Sequence, residues 1–75
     1  MGTLLPIGTV VNITRRGFLL ARAKKPVRIG TPVTDGRRNR VGVVTDVIGP
    51  VRAPFVVIRA GSADASMLGK ELFAR

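Results

Sequence analysis

The chain has 75 residues, 45% of them apolar, with thirteen Lys and Arg against four Asp and Glu, a formal net charge of +9, and neither Cys nor His. This composition excludes disulfides and the usual Cys/His metal centres, is too apolar for a disordered tail, and is too lopsided in charge for solubility alone. No apolar run approaches a transmembrane span and no basic segment precedes a long apolar one at the N-terminus, so a soluble, unexported protein is expected, its single domain filling residues 1–75.

A domain this small buries only about 60% of the surface its unfolded chain exposes, so its core is thin and its leftover apolar surface invites a macromolecular partner. The excess of cations points to a polyanion, most directly nucleic acid, because clustered cations gain affinity by releasing counterions from phosphate.

In chain order, Ile7 to Thr14 alternates Ile7, Thr9, Val11 and Ile13 against Gly8, Val10, Asn12 and Thr14, a strand with one face more apolar than the other. Thr14-Arg15-Arg16-Gly17 reads as a tight hairpin turn with glycine in the left-handed position. Phe18 to Ala23 returns as a second strand. Its inner face is Leu19, Ala21 and Ala23, since Arg22 must face water and takes Phe18 and Leu20 with it. Lys24-Lys25-Pro26 ends that strand. Prolines and glycines then recur through Gly36, which predicts a tight corner leading to a short strand around Val33. Asp35 to Arg40 is a turn carrying Arg37, Arg38 and Arg40, with Asp-Gly as its hairpin signal.

Val41 to Ile48 is the third long strand, pairing with Phe55 to Arg59 across Gly49-Pro50-Val51-Arg52-Ala53-Pro54. Pro50 and Pro54 fix φ and remove two backbone donors, so this connection is a preset loop and not a continuation of the ladder. Arg59 must face water, which by alternation turns Phe55 and Val57 outward as well, two apolar residues beside a rigid loop. The strands form a meander of about five, a size at which a sheet closes into a barrel to protect its edges. Near the C-terminus, Asp64 caps a helical turn over Ala65 to Leu68 that Gly69 cuts short, and Glu71 to Ala74 closes as a strand; one helix from Asp64 to Ala74 is the alternative. No internal repeat is visible.

Catalysis finds little to work with. There is no His, Cys, Tyr or Trp, and Asp35, Asp46, Asp64 and Glu71 are scattered, whereas acid–base chemistry usually needs paired carboxylates or a carboxylate beside a histidine. Phosphate-cradling and dinucleotide fingerprints are absent, so neither an enzyme nor a cofactor is expected. Asp46, inside an apolar strand beside the Gly-Pro loop, reads as an acceptor for backbone N–H groups of that loop. With only Phe18, Phe55 and Phe73 to stack on bases, a module that reads RNA sequence is not expected. The basic residues Arg15, Arg16, Lys24, Lys25, Arg37, Arg38 and Arg40 lie in turns, where they can touch phosphates without reading bases.

The succession Gly17-Phe18-Leu19-Leu20-Ala21-Arg22-Ala23, Val41-Gly42-Val43-Val44-Thr45-Asp46-Val47-Ile48-Gly49-Pro50-Val51, Pro54-Phe55-Val56 and Leu68-Gly69-Lys70-Glu71-Leu72-Phe73 resembles the Gar/Naf family, and within it the Gar-type accessory subunit of archaeal box H/ACA ribonucleoproteins. The Asp-Val-x-Gly-Pro-Val-x-x-Pro-aromatic run is the specific part; Phe55 stands where the family usually has tyrosine. The resemblance implies a six-stranded closed β-barrel of the translation-factor type. It implies a non-catalytic subunit that docks on the catalytic domain of a dyskerin-type pseudouridine synthase and promotes substrate RNA loading and release in rRNA pseudouridylation. Contact with the guide RNA particle would be mostly indirect, and the location cytoplasmic in an archaeon or nucleolar in a eukaryote. Where motif and physical reading coincide, the synthase-facing residues are Ile48, Gly49, Pro50, Val51, Pro54, Phe55 and Val57. The competing reading is a free-standing, translation-related RNA-binding barrel; an assembly factor of the same family is a third.

Overall fold

The alternation in Phe18-Leu19-Leu20-Ala21-Arg22-Ala23 and in Phe55-Val56-Val57-Ile58-Arg59 makes two strands with one dry face each, and these two pair side by side in the sheet. The computed structural model describes residues 4–24, 27–61 and 65–74. Its strands are β1 (Leu5–Ile13), β2 (Phe18–Ala23), β3 (Pro32–Thr34), β4 (Arg40–Ile48), β5 (Phe55–Ala60) and β6 (Glu71–Ala74), with a single 3-10 turn at Ala65–Met67. All neighbours are antiparallel, and the sheet closes on itself in the order β1-β2-β5-β4-β3-β6.

The expected closed barrel and the turn-plus-strand reading of residues 65–74 hold; a helix through this segment does not form. The expected Asp64 cap lies outside the described residues. The simple meander needs correction, because β2 neighbours β5 and β6 lies between β1 and β3. Closure leaves no edge for another strand to extend.

The core is lined by Ile7, Val10, Leu19, Ala21, Ala23, Val33, Val44, Val56, Ile58 and Leu72. Removing Leu19, Ile58 or Leu72 from water contributes roughly 1.5–3 kcal/mol each. The inner face expected for β2 is the one observed. In β1 the alternation breaks: Ile7 and Val10 are buried while Val11 is exposed. The register shifts between Pro6 and Gly8 against β6, and between Val10 and Asn12 against β2, so each bulge reverses which side chains point inward.

These bulges are half of a repeat that the sequence reading missed. Gly8, Val10, Asn12 and Ile13 of β1 correspond to Gly42, Val44, Asp46 and Val47 of β4, whose register against β5 shifts between Val44 and Asp46. In both strands the bulged side chain takes the next residue's N–H: Ile13 donates to Asn12 Oδ1 and Val47 to Asp46 Oδ1, each at 2.8 Å. Gly8 and Gly42 each face the carbonyl of an arginine on the paired strand, Arg22 and Arg59, with no room for a Cβ.

The corners repeat as well. Gly30 and Gly69, at φ 93° and 81°, donate to the Val44 and Val10 carbonyls at 2.7 and 2.9 Å, and Val44 and Val10 donate back to Thr31 and Lys70 at 3.0 and 2.9 Å. The barrel is therefore two βββ halves, β1-β2-β3 and β4-β5-β6. They meet about a local two-fold that exchanges Phe18↔Arg59 with Arg22↔Phe55 across β2 and β5.

The β3–β4 turn is tied by its acid. Asp35 Oδ1 accepts the N–H groups of Arg37 and Asn39 at 2.7 and 3.0 Å, and Oδ2 accepts Asn39 Nδ2 at 3.3 Å. The left-handed residue here is Arg38, at φ 67°. The Arg37 N–H, helped by Asn39 and by the positive charge of Lys70, holds the Asp35 carboxyl below its ordinary 3.8 in spite of partial desolvation.

Candidate functional site

Between Thr14 and Phe18, where the first half turns, lie three residues; between Ile48 and Phe55, where the second half makes the equivalent turn, lie six. The short turn closes with Gly17 at φ 86° and a Thr14 N–H to Phe18 carbonyl bond of 2.8 Å. The fold thus needs no more than the short version, and the three extra residues of the Gly-Pro loop are surplus to barrel closure.

That surplus loop is held at both ends. Gly49 enters it at φ 91°, a conformation glycine adopts without steric cost. Ala53 N–H bonds the Pro50 carbonyl at 3.2 Å, and Ala23 N–H of β2 bonds the Pro54 carbonyl at 2.9 Å. Ala60 N–H bonds Gly17 in the equivalent place at 3.1 Å. Pro54 is fully buried, so among the expected interface residues it serves as the loop's anchor and presents no surface. Val51 at the tip is 75% exposed and Ile48 47%.

By register, Ile48, Phe55, Arg22 and Thr9 form one row across β4, β5, β2 and β1, and Val57 with Leu20 sits in the next outward row. Phe18, Leu20, Phe55 and Val57 are half-buried and Arg59 is exposed, as the alternation required. Ile48, Phe55 and Val57 therefore share neighbouring outward rows, with Gly49 against the Phe55 ring and Pro50 and Val51 exposed in the loop that follows. Asp46 is exposed and, among the described residues, accepts only from its neighbour Val47; it sits at the bulge below the patch, and the bonds to loop N–H groups expected from the sequence do not form.

The basic residues do not converge as a set. Arg15 and Arg16 sit in the β1–β2 turn and Arg37, Arg38 and Arg40 around the β3–β4 turn, both at the end of the barrel away from the Gly-Pro loop. Lys24 alone of the described candidates stands at the loop end; Lys25 lies outside the described residues. Two cations missed in the sequence, Arg22 and Arg52, line a surface groove together with Lys24. Arg22 was legible as an outward strand residue, but nothing in the sequence spacing reveals that the loop carries Arg52 up to it. Among the described residues no group of three or more Asp, Glu, Cys or His could hold a metal ion.

The family model described as the Gar1/Naf1 RNA binding region matches residues 4–74. An uncharacterised protein of Methanothermobacter thermautotrophicus is 30% identical over 57 residues, covering 76% of this chain and 62% of the relative, so the match spans less than two thirds of that protein. One from Methanocaldococcus jannaschii is 33% identical over 60 residues, covering 80% of this chain and 73% of the relative. The solved structure of the Gar1 domain of Naf1 superposes with a TM-score of 0.75 over 96% of this chain and 85% of that one; at 22% identity this is a likeness of fold.

Proposed function

We propose, from the premise that this chain belongs to the Gar1/Naf1 family, that it is a non-catalytic accessory subunit of an RNA-guided box H/ACA pseudouridine synthase particle. In this reading the chain docks on the catalytic domain of a dyskerin-type synthase through the outward patch of Ile48, Val51, Phe55 and Val57, and promotes loading and release of substrate RNA. Uridine isomerisation belongs to the synthase. The observation that carries the reading is the surplus loop: its six residues exceed what closure of the barrel requires, and they hold apolar side chains out to solvent on a backbone already anchored by Pro54. Preorganisation of this kind lowers the ordering entropy lost on binding.

The test is co-expression with the synthase followed by size-exclusion chromatography. Pro50→Ala combined with Phe55→Ala is expected to weaken the complex by more than ~2 kcal/mol, because central aromatic contacts dominate interface energy. Circular dichroism should still report a folded β domain. Charge reversal at Arg37 and Arg38, at the far end of the barrel, is expected to disturb the complex much less. Loss of the complex in the arginine variant with retention in the loop variant would put the docking face at the wrong end.

The second reading, a free-standing RNA-binding barrel, is favoured by the net charge of +9 and by the words of the family description. It requires tight RNA retention by the chain alone and no stable complex with the synthase.

A further inference from the structure

Two adjoining surface grooves cross the outside of the barrel from the Gly-Pro loop over β2 and β1 to β6 and share Thr9, Arg22 and Lys24. One, about 300 Å³, is lined further by Arg52 and Ala53 of the Gly-Pro loop and by Val11 and Ala23. The other, about 350 Å³, continues past Pro6 to Glu71. We propose that this channel is a binding site for single-stranded RNA, with Arg22, Lys24 and Arg52 holding consecutive backbone phosphates. It deepens the reading above by giving the accessory subunit its own contact with a substrate strand, and it rests on that reading for the source of the RNA.

Four observations converge. First, three cations from two separate stretches of sequence, Arg22 and Lys24 at the end of β2 and Arg52 in the loop, line one groove. Among the described residues no ion pair occupies them. Guanidinium forks match phosphate oxygens bidentately and ammonium groups add a point charge, so the set suits a chain of phosphodiesters.

Second, the wall that Arg52 and Ala53 supply belongs to the surplus loop. The barrel's other half closes without those residues, so the groove is an addition to the fold and not a by-product of it. Third, the lining residues other than the cations, Thr9, Val11, Ala23 and Ala53, are small, which lets a backbone approach closely. Fourth, Glu71, the cross-strand partner of Thr9, stands at the far end. A carboxylate there accepts from ribose hydroxyls or base amino groups. An acidic protein segment is the competing occupant of the same cations, and the competition arm of the experiment decides against it or for it.

The experiment uses the full chain and a fluorescein-labelled oligouridylate, read by fluorescence anisotropy at several salt concentrations. Arg22→Gln with Arg52→Gln is compared with Arg15→Gln with Arg16→Gln, which removes the same charge from the short turn of the other half. The groove variant is expected to lose about tenfold in affinity and to flatten the salt dependence by about 1.4 in log–log slope, two single-strand contacts at ~0.7 each; the turn variant should lose about twofold.

Arg52→Gln alone, in an exposed loop, keeps the test open if the double variant fails to fold, and should lose about threefold. Equal losses in the two double variants, or a larger loss in the turn variant, would overturn the site in favour of diffuse attraction. Displacement of the RNA from the wild-type groove by oligoglutamate at comparable concentration would overturn it in favour of an acidic protein partner. Failure of any of these arms with synthase co-elution intact sinks the groove and leaves the docking reading standing; loss of co-elution with RNA binding intact does the reverse.

Discussion

Asp35 and Asp46 show how one side chain type does two different jobs. Asp35 collects two backbone N–H groups and an amide. Because its folded pKa lies below the ordinary 3.8, its contribution to stability is fully present above that value and is lost as pH falls through the folded pKa. Asp35→Ala should therefore lower the melting temperature at neutral pH, and the gap to the parent should close as both are melted in increasingly acidic buffer below pH 3.8. Among the described residues Asp46 accepts one exposed N–H, and the other half of the barrel does the same with Asn12. Asp46→Asn is accordingly expected to be neutral, whereas Asp46→Ala should cost ~0.5–1.5 kcal/mol, the value of an ordinary net hydrogen bond. Urea denaturation of both variants checks it, and equal losses would show that the charge and not the acceptor matters.

The bulged strands β1 and β4 depend on glycine where each crosses its partner's backbone. A Cβ on Gly42 would run into the Arg59 carbonyl, and one on Gly8 into the Arg22 carbonyl; these are main-chain atoms held in a ladder, so they cannot swing aside. Gly42→Ala is expected to destabilise by ~1–3 kcal/mol, as overpacking does. Gly61, which has open space around its Cβ direction and no positive φ, is the control, and alanine there should be neutral or slightly stabilising. Thermal melts that shifted equally for both would mean that the strands can separate at this crossing without cost. The same element logic explains the docking loop: Pro54 is inside and Val51 outside because the Ala23 N–H fixes the Pro54 carbonyl and leaves the tip unsupported by the barrel.

At the scale of the molecule, the two halves are joined through the β3–β4 turn, and Leu5 of β1 pairs with Ala74 of β6. A circular permutant that joins β6 to β1 by a flexible linker, beyond the paired Leu5 and Ala74, and opens at Gly36 would run β4-β5-β6 and then β1-β2-β3, the same arrangement of halves in the other order. It is expected to fold to the same barrel, with far-ultraviolet circular dichroism matching the parent and a cooperative melt, since permutation succeeds at exposed turns. A molten or unfolded permutant would show that the second half needs the first to be made before it. The charge also acts at this scale: RNA binding by the isolated chain should be indifferent to sequence and fall steeply with salt, because phosphates and not base edges meet the cations. A preference for one base sequence that persists at high salt, measured by anisotropy with oligoadenylate and oligouridylate, would contradict it.

The sequence by itself determined the strands with clean alternation, the turns with glycine or proline at a constrained φ, and the outward direction of Phe55, Val57 and Arg22, since each of these follows from neighbours within a few residues. The motif around Gly49-Pro50 carried the family, which the match over residues 4–74 bears out. Only the tertiary structure decided the inner face of β1, because a bulge is a relation between two strands and leaves no mark on one of them. It alone revealed the repeat, whose halves keep the same hydrogen bonds with few of the same side chains and with loops of unequal length. Pro54 as buried anchor and Arg52 beside Arg22 are likewise products of closure: the ring of strands brings the end of β2 against the loop before β5, and contacts between such distant segments come from the geometry of the closed sheet and not from spacing along the chain.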